Sequence, residues 1–393
     1  MGDGQTPAVL LSRLGKLLCA PPLSIEVIPG DGSDWPSAWL GGENLQQDHR
    51  PFLYVEGHLG VPHKLLYKAY LTALREFVLL KPTFRGISDS HDDSPNAERL
   101  AQLTAVILLA NPAHQTALNT RKQLVSLGLL NTEIELQFCA ALLVVRECSK
   151  QSLLWHHRRW LLQLPSPLKC TGKGFNNRPE HSDTLRRALL SAVSLRAEFL
   201  IVTQACETYP RNYFAWIHRY CCLEALITLA RSPTPTQDAD RSLLLEEILF
   251  ARTWIERHVS DYTAVHYFHN LHVLLLQEAD VPLPANASAA LGADRADHRT
   301  IRASLYAHAK SLLETYPEHE TMWLYFRAAV HICSADPGLQ LDATDVADGH
   351  SDWDAPSAPK LMTLGNAERH QAWLSRNREG STDRQQQLHS WHR

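Results

Sequence analysis

The chain has 393 residues, of which 45% are hydrophobic and 20% charged, and its formal net charge is -4. This balance is ordinary for a globular protein and does not call for nucleic acid or an anionic membrane as a partner. No apolar stretch reaches the roughly 18–20 residues that a membrane-spanning helix needs.

The N-terminal part of the sequence differs from the rest of the chain. Residues 1–50 contain Pro21-Pro22 and a Gly/Asp/Ser stretch, and we expect a loosely ordered lead with one short helix. From about residue 62 the apolar residues recur at helical spacing, first over His63–Leu80 and then over Glu98–Ala110. Beyond these two segments, helices of about 12–18 residues are expected to alternate with loops to around residue 333.

Three polar inserts interrupt the helical pattern, at residues 164–183, 231–240 and 280–298. They are rich in Pro, Ser, Thr, Asp or Gly and are predicted to be exposed loops. Residues 336–393 are predicted to be a linker and a C-terminal tail, in which 361–376 is the candidate for one last helix. Alternation of β-branched residues is sparse between the inserts, so the sequence favours an all-α fold.

An internal repeat emerges when one anchor residue per copy is aligned. Once the polar inserts are discounted, the spacing of the anchors is about 35–45 residues, the size of one helical hairpin. The pattern predicts about five stacked hairpins over residues 51–335. The five anchors are Leu118, Trp155, Trp216, Val265 and Trp323.

The columns around the anchor support the repeat. Asn212 and Asp261 stand four residues before their anchors and are expected to cap the following helix. Three residues after each of the first three anchors stands an arginine, which is Arg121, Arg158 or Arg219. Each arginine lies one helical turn from its anchor, and the simplest interpretation is packing of the anchor beside a solvated or capping cation.

Two groups of histidines are candidate metal ligands. His266, His269 and His272 recur every three residues, but such a series drifts around the helix, so that only neighbours share a face. His156 and His157 are adjacent in the chain. Because a zinc site needs further ligands on other elements, the sequence predicts no metal site in this chain.

Two segments resemble the protein prenyltransferase α-subunit repeat, whose signature is roughly Asn-Tyr-x-x-Trp-x-x-Arg-Arg. They are residues 150–160, with the sequence KQSLLWHHRRW, and residues 209–219, with the sequence YPRNYFAWIHR. The resemblance covers about residues 50–335. It extends to one particular member of the family, through segments at 54–61, 111–122, 258–261 and 316–323.

The resemblance implies a fold, a partner and an activity. Such α subunits are right-handed crescents of antiparallel helical hairpins, similar to tetratricopeptide repeats, and they wrap around a β subunit. The β subunit carries the zinc and the isoprenoid pocket, so this chain itself would hold no cofactor. For this member, the implied partner is the β subunit of Rab geranylgeranyltransferase. The implied activity is type III, which transfers the geranylgeranyl group of geranylgeranyl diphosphate to a cysteine of an already farnesylated SNARE.

Two residues take catalytic roles under this resemblance. Lys150 occupies the position of a lysine that reaches the isoprenoid diphosphate, and Tyr213 that of a tyrosine facing the active site. On the residues alone, a solvated surface lysine is the favoured interpretation of Lys150, and Tyr213 is equally a packing or interface tyrosine. The resemblance marks eight further residues as repeat signature or interface: Trp155, Arg158, Arg159, Asn212, Trp216, His218, Arg219 and Trp323.

The sequence departs from the family pattern in places. Ser152 replaces the signature tyrosine, and Leu153 and Phe214 replace residues near the peptide C-terminus, which puts recognition of an ordinary C-a-a-X tail in doubt. The later repeats carry Phe268 and Phe326 in place of the arginine. A non-catalytic helical-repeat adaptor that retains the fold is therefore the alternative function. The eight cysteines form no C-x-x-C pair and predict a reduced, cytoplasmic protein.

Overall fold

The computed structural model describes residues 6–33, 35, 49–84, 93–164, 184–232, 237–278 and 298–333. Over these residues the chain forms thirteen α-helices, one 3-10 helix at Lys81–Thr83 and one small sheet. The predicted all-α repeat fold is confirmed. The chain divides into two compact units, residues 1–225 and residues 226–393.

The helices and strands divide between the two units in chain order. The first unit contains α1 Pro7–Cys19, β1 Ser24–Ile28, β2 Leu53–Val55, β3 His58–Pro62, α2 His63–Leu80, α3 Asp93–Ala110, α4 Gln115–Ser126, α5 Thr132–Leu143, α6 Arg146–Ser149, α7 Ser152–Leu162 and α8 Ala192–Thr208. Helix α9, Tyr213–Arg231, crosses the boundary between the units. The second unit continues with α10 Gln237–Arg257, α11 Tyr262–Gln277, α12 His298–Thr315 and α13 Glu320–Cys333.

The start of the chain is packed where the sequence suggested a loose lead. Helix α1 is the predicted short helix, and it packs against α2 and α3. Leu10, Leu11, Leu14 and Leu18 are all at most 1% exposed, because they recur on one face of α1 at helical spacing. The buried face of α1 is therefore part of the core, while the domain boundary near residue 50 stays a prediction.

A three-stranded sheet follows α1, and it was not predicted from the sequence. Its strand order is β1-β3-β2, with β1 parallel and β2 antiparallel to the central β3. The hairpin between β2 and β3 turns at Glu56 and Gly57, whose φ values are 52° and 87°. Two successive positive φ values are typical of the tight turn that matches strand twist, and glycine adopts this conformation without strain.

The predicted capping residues begin their helices as expected. The Asn212 side chain accepts a hydrogen bond from the Ala215 amide at 3.2 Å, and Asp261 accepts from the Thr263 and Ala264 amides at 3.1 Å each. In the first repeat the Nδ1 atom of His114 takes this role. Each cap satisfies an amide that has no partner inside its own helix, and this fixes where the helix starts.

One predicted loop is wrong in part. The insert proposed at 231–240 gives way to helix at Gln237, where α10 begins. Asp240 lies in the first turn of α10, where the positive end of the helix dipole favours an acidic residue. Most of the other two inserts and all of residues 334–393, including the candidate helix at 361–376, lie outside the described residues. No helix within the described ranges is long and apolar enough to cross a membrane.

The packing of α1 can be tested by truncating one leucine. Leu14→Ala should lower the free energy of unfolding by about 2–5 kcal/mol, because it leaves a cavity at a fully buried position. Val9→Ala, in the same helix at a side chain 36% exposed, is the matched control and should change stability by about 0.5 kcal/mol or less. Urea unfolding followed by circular dichroism measures both, and equal effects would mean that α1 does not contribute to the core.

Candidate functional site

The two residues with implied catalytic roles lie at one junction between hairpins. Lys150 follows α6 directly, and Tyr213 is the first residue of α9. Their chain neighbours are bonded to each other, because the Asn212 Nδ2 atom donates to the Ser149 carbonyl at 3.0 Å and is 2.6 Å from Ser149 Oγ. The structure therefore brings the backbones of Lys150 and Tyr213 close together although 63 residues separate them.

Both side chains at this junction reach solvent. The Lys150 side chain is 37% exposed, and its ammonium forms an ion pair with Glu147 on the preceding turn. Tyr213 is 55% exposed, and its ring meets Phe214 edge to face with the centroids 5.6 Å apart. Asn212 and Ser149, in contrast, are both fully buried. The buried contact between Asn212 and Ser149 is thus followed along the chain by an exposed phenol, Tyr213, on one side and an exposed cation, Lys150, on the other.

Two of the tryptophan anchors donate a hydrogen bond to a backbone carbonyl at the start of their own repeat. The indole Nε1 atom of Trp155 donates to the Ser149 carbonyl at 2.7 Å, and that of Trp323 donates to the Pro317 carbonyl at 2.7 Å. Both carbonyls belong to the residue six positions before the anchor. This shared geometry in the two units supports the repeat register that the anchors predicted. In the first unit, the Ser149 carbonyl accepts hydrogen bonds from both Trp155 and Asn212.

Arg121 and Arg158 are buried ion-pair partners and Arg219 is buried as well, so the interpretation as solvated or capping cations was wrong. Arg121 on α4 contacts Glu135 on α5 through Nε at 2.9 and 3.0 Å and through Nη2 at 2.5 Å. The His157 Nε2 atom on α7 lies 2.8 Å from the same carboxylate. All three side chains are 1% exposed. One carboxylate therefore joins three helices.

The same arrangement recurs one repeat later. Arg158 on α7 forms a bidentate pair with Glu198 on α8, with distances of 2.6 and 2.7 Å. The His218 Nε2 atom on α9 lies 3.0 Å from the Glu198 carboxylate. Arg158 also donates to the Leu136 carbonyl at 2.8 Å. The histidine two residues after the anchor is thus the second partner of each buried glutamate.

Burial and pairing act in opposite directions on the pKa values of this network. Burial alone would raise the pKa of Glu198, but the Arg158 charge and the hydrogen bonds from His218 and Arg158 outweigh it and lower that pKa to about 2. Glu135 behaves in the same way beside Arg121 and His157, again with a pKa of about 2. Burial lowers the pKa of His218 and outweighs the raising effect of Glu198. The carboxylates are thus held ionised and the histidines neutral.

The buried glutamates were not predicted from the sequence, although a signal for them exists. Glu135 and Glu198 stand inside apolar helical segments, where an acidic residue is rarely buried without a partner. The column two residues after the anchor is a second signal, with His157, His218, Tyr267 and Tyr325. In the second unit the hydroxyl of Tyr267 donates to Glu247 at 2.6 Å, which continues the pattern from α11 to α10.

In the fourth repeat both members of the buried arginine–glutamate pair are replaced by other residues. Phe268 stands where the first three repeats have arginine, and the partner of the next anchor-plus-two residue is His308 in place of a glutamate. The Nδ1 atom of His308 lies 2.8 Å from the Tyr325 hydroxyl, and the Phe268 and Tyr325 ring centroids are 6.0 Å apart. The buried arginine–glutamate pair is therefore replaced by His308, whose Nε2 atom contacts the part-exposed Glu256 at 2.9 Å.

The other signature residues also lie inside their unit. Arg219 is 2% exposed, donates to the Phe199 carbonyl at 3.0 Å and lies over the Phe199 ring at 4.8 Å. Arg159 is 4% exposed and contacts His156 Nδ1 at 3.0 Å. Trp216 is 3% exposed. These side chains, with Arg158 and His218, are buried and contact residues of the first unit, and their predicted role at an interface stays a prediction.

One cluster has the composition of a metal site. Glu198, His218 and Cys222 offer ligand atoms within 4.8 Å of one another, and all three are buried. Both oxygens of Glu198 already bond Arg158, and burial raises the pKa of Cys222 well above its ordinary value, which disfavours the thiolate that binds metal. The recurrence of the same Arg-Glu-His geometry at Glu135 explains two of these residues as hairpin coupling.

The free energy of unfolding should depend on pH in the range where Glu198 titrates. Its folded pKa is about 2 against an ordinary 4.5, so the stability it contributes is present above pH 4.5 and is lost as pH falls towards 2. His218 adds a loss that begins near pH 6.5, because the unfolded imidazole binds a proton more readily than the folded one.

Glu198→Gln should lower the free energy of unfolding at neutral pH by about 3–5 kcal/mol, since it leaves Arg158 buried without a counter-charge. It should also flatten the pH dependence between 4.5 and 2. Glu26→Gln, at an exposed strand position, is the control and should leave the curve as it is in the wild type. Denaturant unfolding at a series of pH values measures both variants. If the free energy of unfolding of Glu198→Gln changed between pH 4.5 and 2 as steeply as that of the wild type, Glu198 would not be the group responsible.

Asn212→Asp tests separately the two hydrogen bonds of one side chain, the cap of α9 and the contact with the Ser149 carbonyl. The substitution keeps an acceptor for the Ala215 amide but turns the Nδ2 donor into an oxygen that repels the Ser149 carbonyl. We expect the free energy of unfolding to fall by about 1–3 kcal/mol. Ser149→Ala removes only the hydroxyl contact and should cost less. Urea unfolding ranks the two variants, and the reverse order would show that the carbonyl contact is unimportant.

Comparison with known proteins agrees with this geometry. The model of the protein prenyltransferase alpha subunit repeat matches residues 195–226, a segment that contains Glu198, Asn212, Trp216 and His218. The chain is 29% identical over 248 residues to protein prenyltransferase alpha subunit repeat-containing protein 1 of Danio rerio, a match that covers 60% of this chain and 55% of that protein. The corresponding protein of Homo sapiens is 28% identical over 283 residues, 65% of each chain.

A third relative extends the same similarity. Protein prenyltransferase alpha subunit repeat-containing protein 1-B of Xenopus laevis is 27% identical over 250 residues, 59% of this chain and 54% of that protein. The matched region thus spans between about half and two thirds of the length of these relatives. Residues 195–226 of the chain therefore match the protein prenyltransferase α-subunit repeat, with the anchor Trp216, the cap Asn212 and the buried pair of Glu198 and His218 inside the match.

Proposed function

We propose that the chain is the α subunit of a heterodimeric protein geranylgeranyltransferase of type III. It would act with the β subunit of Rab geranylgeranyltransferase to modify a cysteine of an already farnesylated SNARE. The observation that carries the proposal is that Lys150 and Tyr213 are both exposed and directly follow Ser149 and Asn212, which are bonded to each other.

The reaction gives the lysine a definite task. A cysteine thiolate forms a bond to the first carbon of the isoprenoid as the carbon–oxygen bond breaks, and the diphosphate leaves with the electron pair. Negative charge therefore grows on the diphosphate in the transition state, where an ammonium group stabilises it. Lys150 supplies such a group, and the Tyr213 hydroxyl can donate a hydrogen bond to the same oxygens. The zinc that would activate the thiol is expected in the β subunit.

Helix α8 offers an apolar face for a partner subunit. Leu189, just before α8, and Val193 and Leu200 on it are 86%, 76% and 60% exposed. Val193 and Leu200 are seven residues apart, so they lie on one face of α8, and Leu189 precedes the helix. Exposed apolar residues grouped on one element are a feature of protein interfaces, and α8 shares the matched repeat with α9, which begins at Tyr213. This face supports the heterodimer without identifying the partner.

The alternative is a helical-repeat adaptor that binds a partner without catalysis. The pairing of Lys150 with Glu147 is compatible with this alternative, because the same contact would satisfy an ordinary surface lysine. Ser152, Leu153 and Phe214, which depart from the family pattern around the peptide C-terminus, favour it. Both functions use the same buried signature, so only exposed residues distinguish them.

Lys150→Ala should lower the rate of geranylgeranyl transfer by at least about tenfold in the purified heterodimer, because one source of charge stabilisation is lost. Lys150→Arg should retain more of the rate, since it keeps the charge. The assay follows labelled geranylgeranyl transfer from the diphosphate to a farnesylated SNARE after co-expression with the β subunit and size-exclusion chromatography.

Lys16→Ala is the matched control, at an exposed lysine on α1, and should leave transfer unchanged. A stable heterodimer in which Lys150→Ala has the wild-type rate would remove the catalytic role of Lys150. A stable heterodimer that transfers nothing at all would favour the adaptor. Failure of the wild-type chains to associate would contradict both the partner and the activity.

A further inference from the structure

Helix α2 exposes two parallel rows of side chains that neither the repeat nor the proposed reaction uses. The apolar row has the spacing i, i+4, i+7 and i+11, so its members lie on one face of the helix. Three of its four members are well exposed, with Tyr67 at 56%, Leu71 at 39% and Val78 at 67%. Leu74, the fourth member, is half-buried.

A row of cations runs beside the apolar row. Lys64, Lys68 and Arg75 are exposed and have the spacing i, i+4 and i+11, one helical step from the apolar residues. Lys64 makes an exposed ion pair with Asp31 at 3.4 Å. Among the residues that the structure describes, the Lys68 ammonium and the Arg75 guanidinium have no ion-pair partner.

The rest of α2 does not balance this charge. Glu76 is the only acidic residue of the helix, and it is bonded to Arg99 of α3 at 2.5 and 2.6 Å. The opposite face of α2 is buried in the first unit through Leu65, Leu66, Ala69, Ala73 and Phe77. The exposed face is therefore apolar and basic within a chain whose net charge is -4.

We propose that this exposed face of α2 binds an acidic amphipathic helix of a partner protein. An apolar row one residue wide and about 16 Å long, from Tyr67 to Val78, matches the apolar stripe of a single helix. The cations line one side of the row, so an acidic row on the partner would meet them along its whole length. Tyrosine and arginine are the residue types that contribute most at such surfaces.

The pattern fits a membrane surface less well. An interfacial membrane helix buries a broad apolar face about 5–10 Å into the headgroup region. The α2 row is narrow, and the other side of the helix is held in the core. The three cations also lie on one flank only, which gives a partner helix a defined direction and register.

A charge-swap experiment on the full chain tests the proposal. The probe is a fluorescein-labelled peptide as long as α2, 18 residues, with leucines at i, i+4, i+7 and i+11 and a row of glutamates beside them. A second peptide carries lysines in place of the glutamates. Fluorescence anisotropy should show saturable binding of the acidic peptide and at least about tenfold weaker binding of the basic one.

Lys68→Glu combined with Arg75→Glu should reverse this preference, and Val78→Ser should weaken binding of both peptides. Arg257→Glu, at an exposed position on α10, is the control and should change nothing. The variants alter exposed side chains, and circular dichroism checks that each is folded.

Equal binding of the two peptides, absence of saturable binding, or a preference that survives the double charge reversal would overturn the proposal. Retention of the chain on vesicles with 30% phosphatidylserine, without binding of the acidic peptide, would overturn it in favour of a membrane surface. None of these outcomes depends on transferase activity, so they leave the proposed function to its own test.

Discussion

The fold depends on a carboxylate that one hairpin buries and its neighbours neutralise. Taking an ionised glutamate out of water is costly, and an arginine offsets that cost only when its geometry is good and the remaining lone pairs are bonded. Arg121 and His157 meet these conditions at Glu135, and Arg158 and His218 meet them at Glu198. Without the neighbouring helices, each buried glutamate would lack its partners. The repeats along the chain are therefore coupled through these contacts.

This coupling explains why the repeats change in blocks. An arginine exchanged alone would strand a buried carboxylate, and a glutamate exchanged alone would strand a buried guanidinium. At the fourth repeat Phe268 and His308 stand in these two places together, and the His308–Tyr325 contact replaces the charged one. This junction therefore keeps a polar contact between helices without the buried guanidinium–carboxylate pair of the earlier ones, and His308 takes the half-exposed Glu256 as its other partner at 2.9 Å.

Features that depend on spacing within one helix could be predicted from the sequence, and features that depend on distant partners could not. The anchors, the caps Asn212 and Asp261 and the all-α repeat belong to the first kind. The partner of a buried arginine lies in another helix at a variable distance, 14 residues for Arg121 and 40 for Arg158. The N-terminal strands of three to five residues are too short for their periodicity to be recognised. The exposure of the α2 and α8 faces depends on tertiary packing and could not be read from one sequence.

The separation between a buried signature and an exposed site bears on function. Trp155, Arg158, Trp216 and His218 are buried inside the described structure, so their positions do not distinguish a catalytic subunit from an adaptor. Lys150 is different, because its only described contact is the ion pair with Glu147, and exposed pairs of this kind contribute about 0–1 kcal/mol. A diphosphate carries more charge than one carboxylate, and a covering subunit would strengthen its attraction to Lys150 by excluding water. The pair with Glu147 is thus a weak resting contact that a bound diphosphate would displace, and it does not count against a role in catalysis.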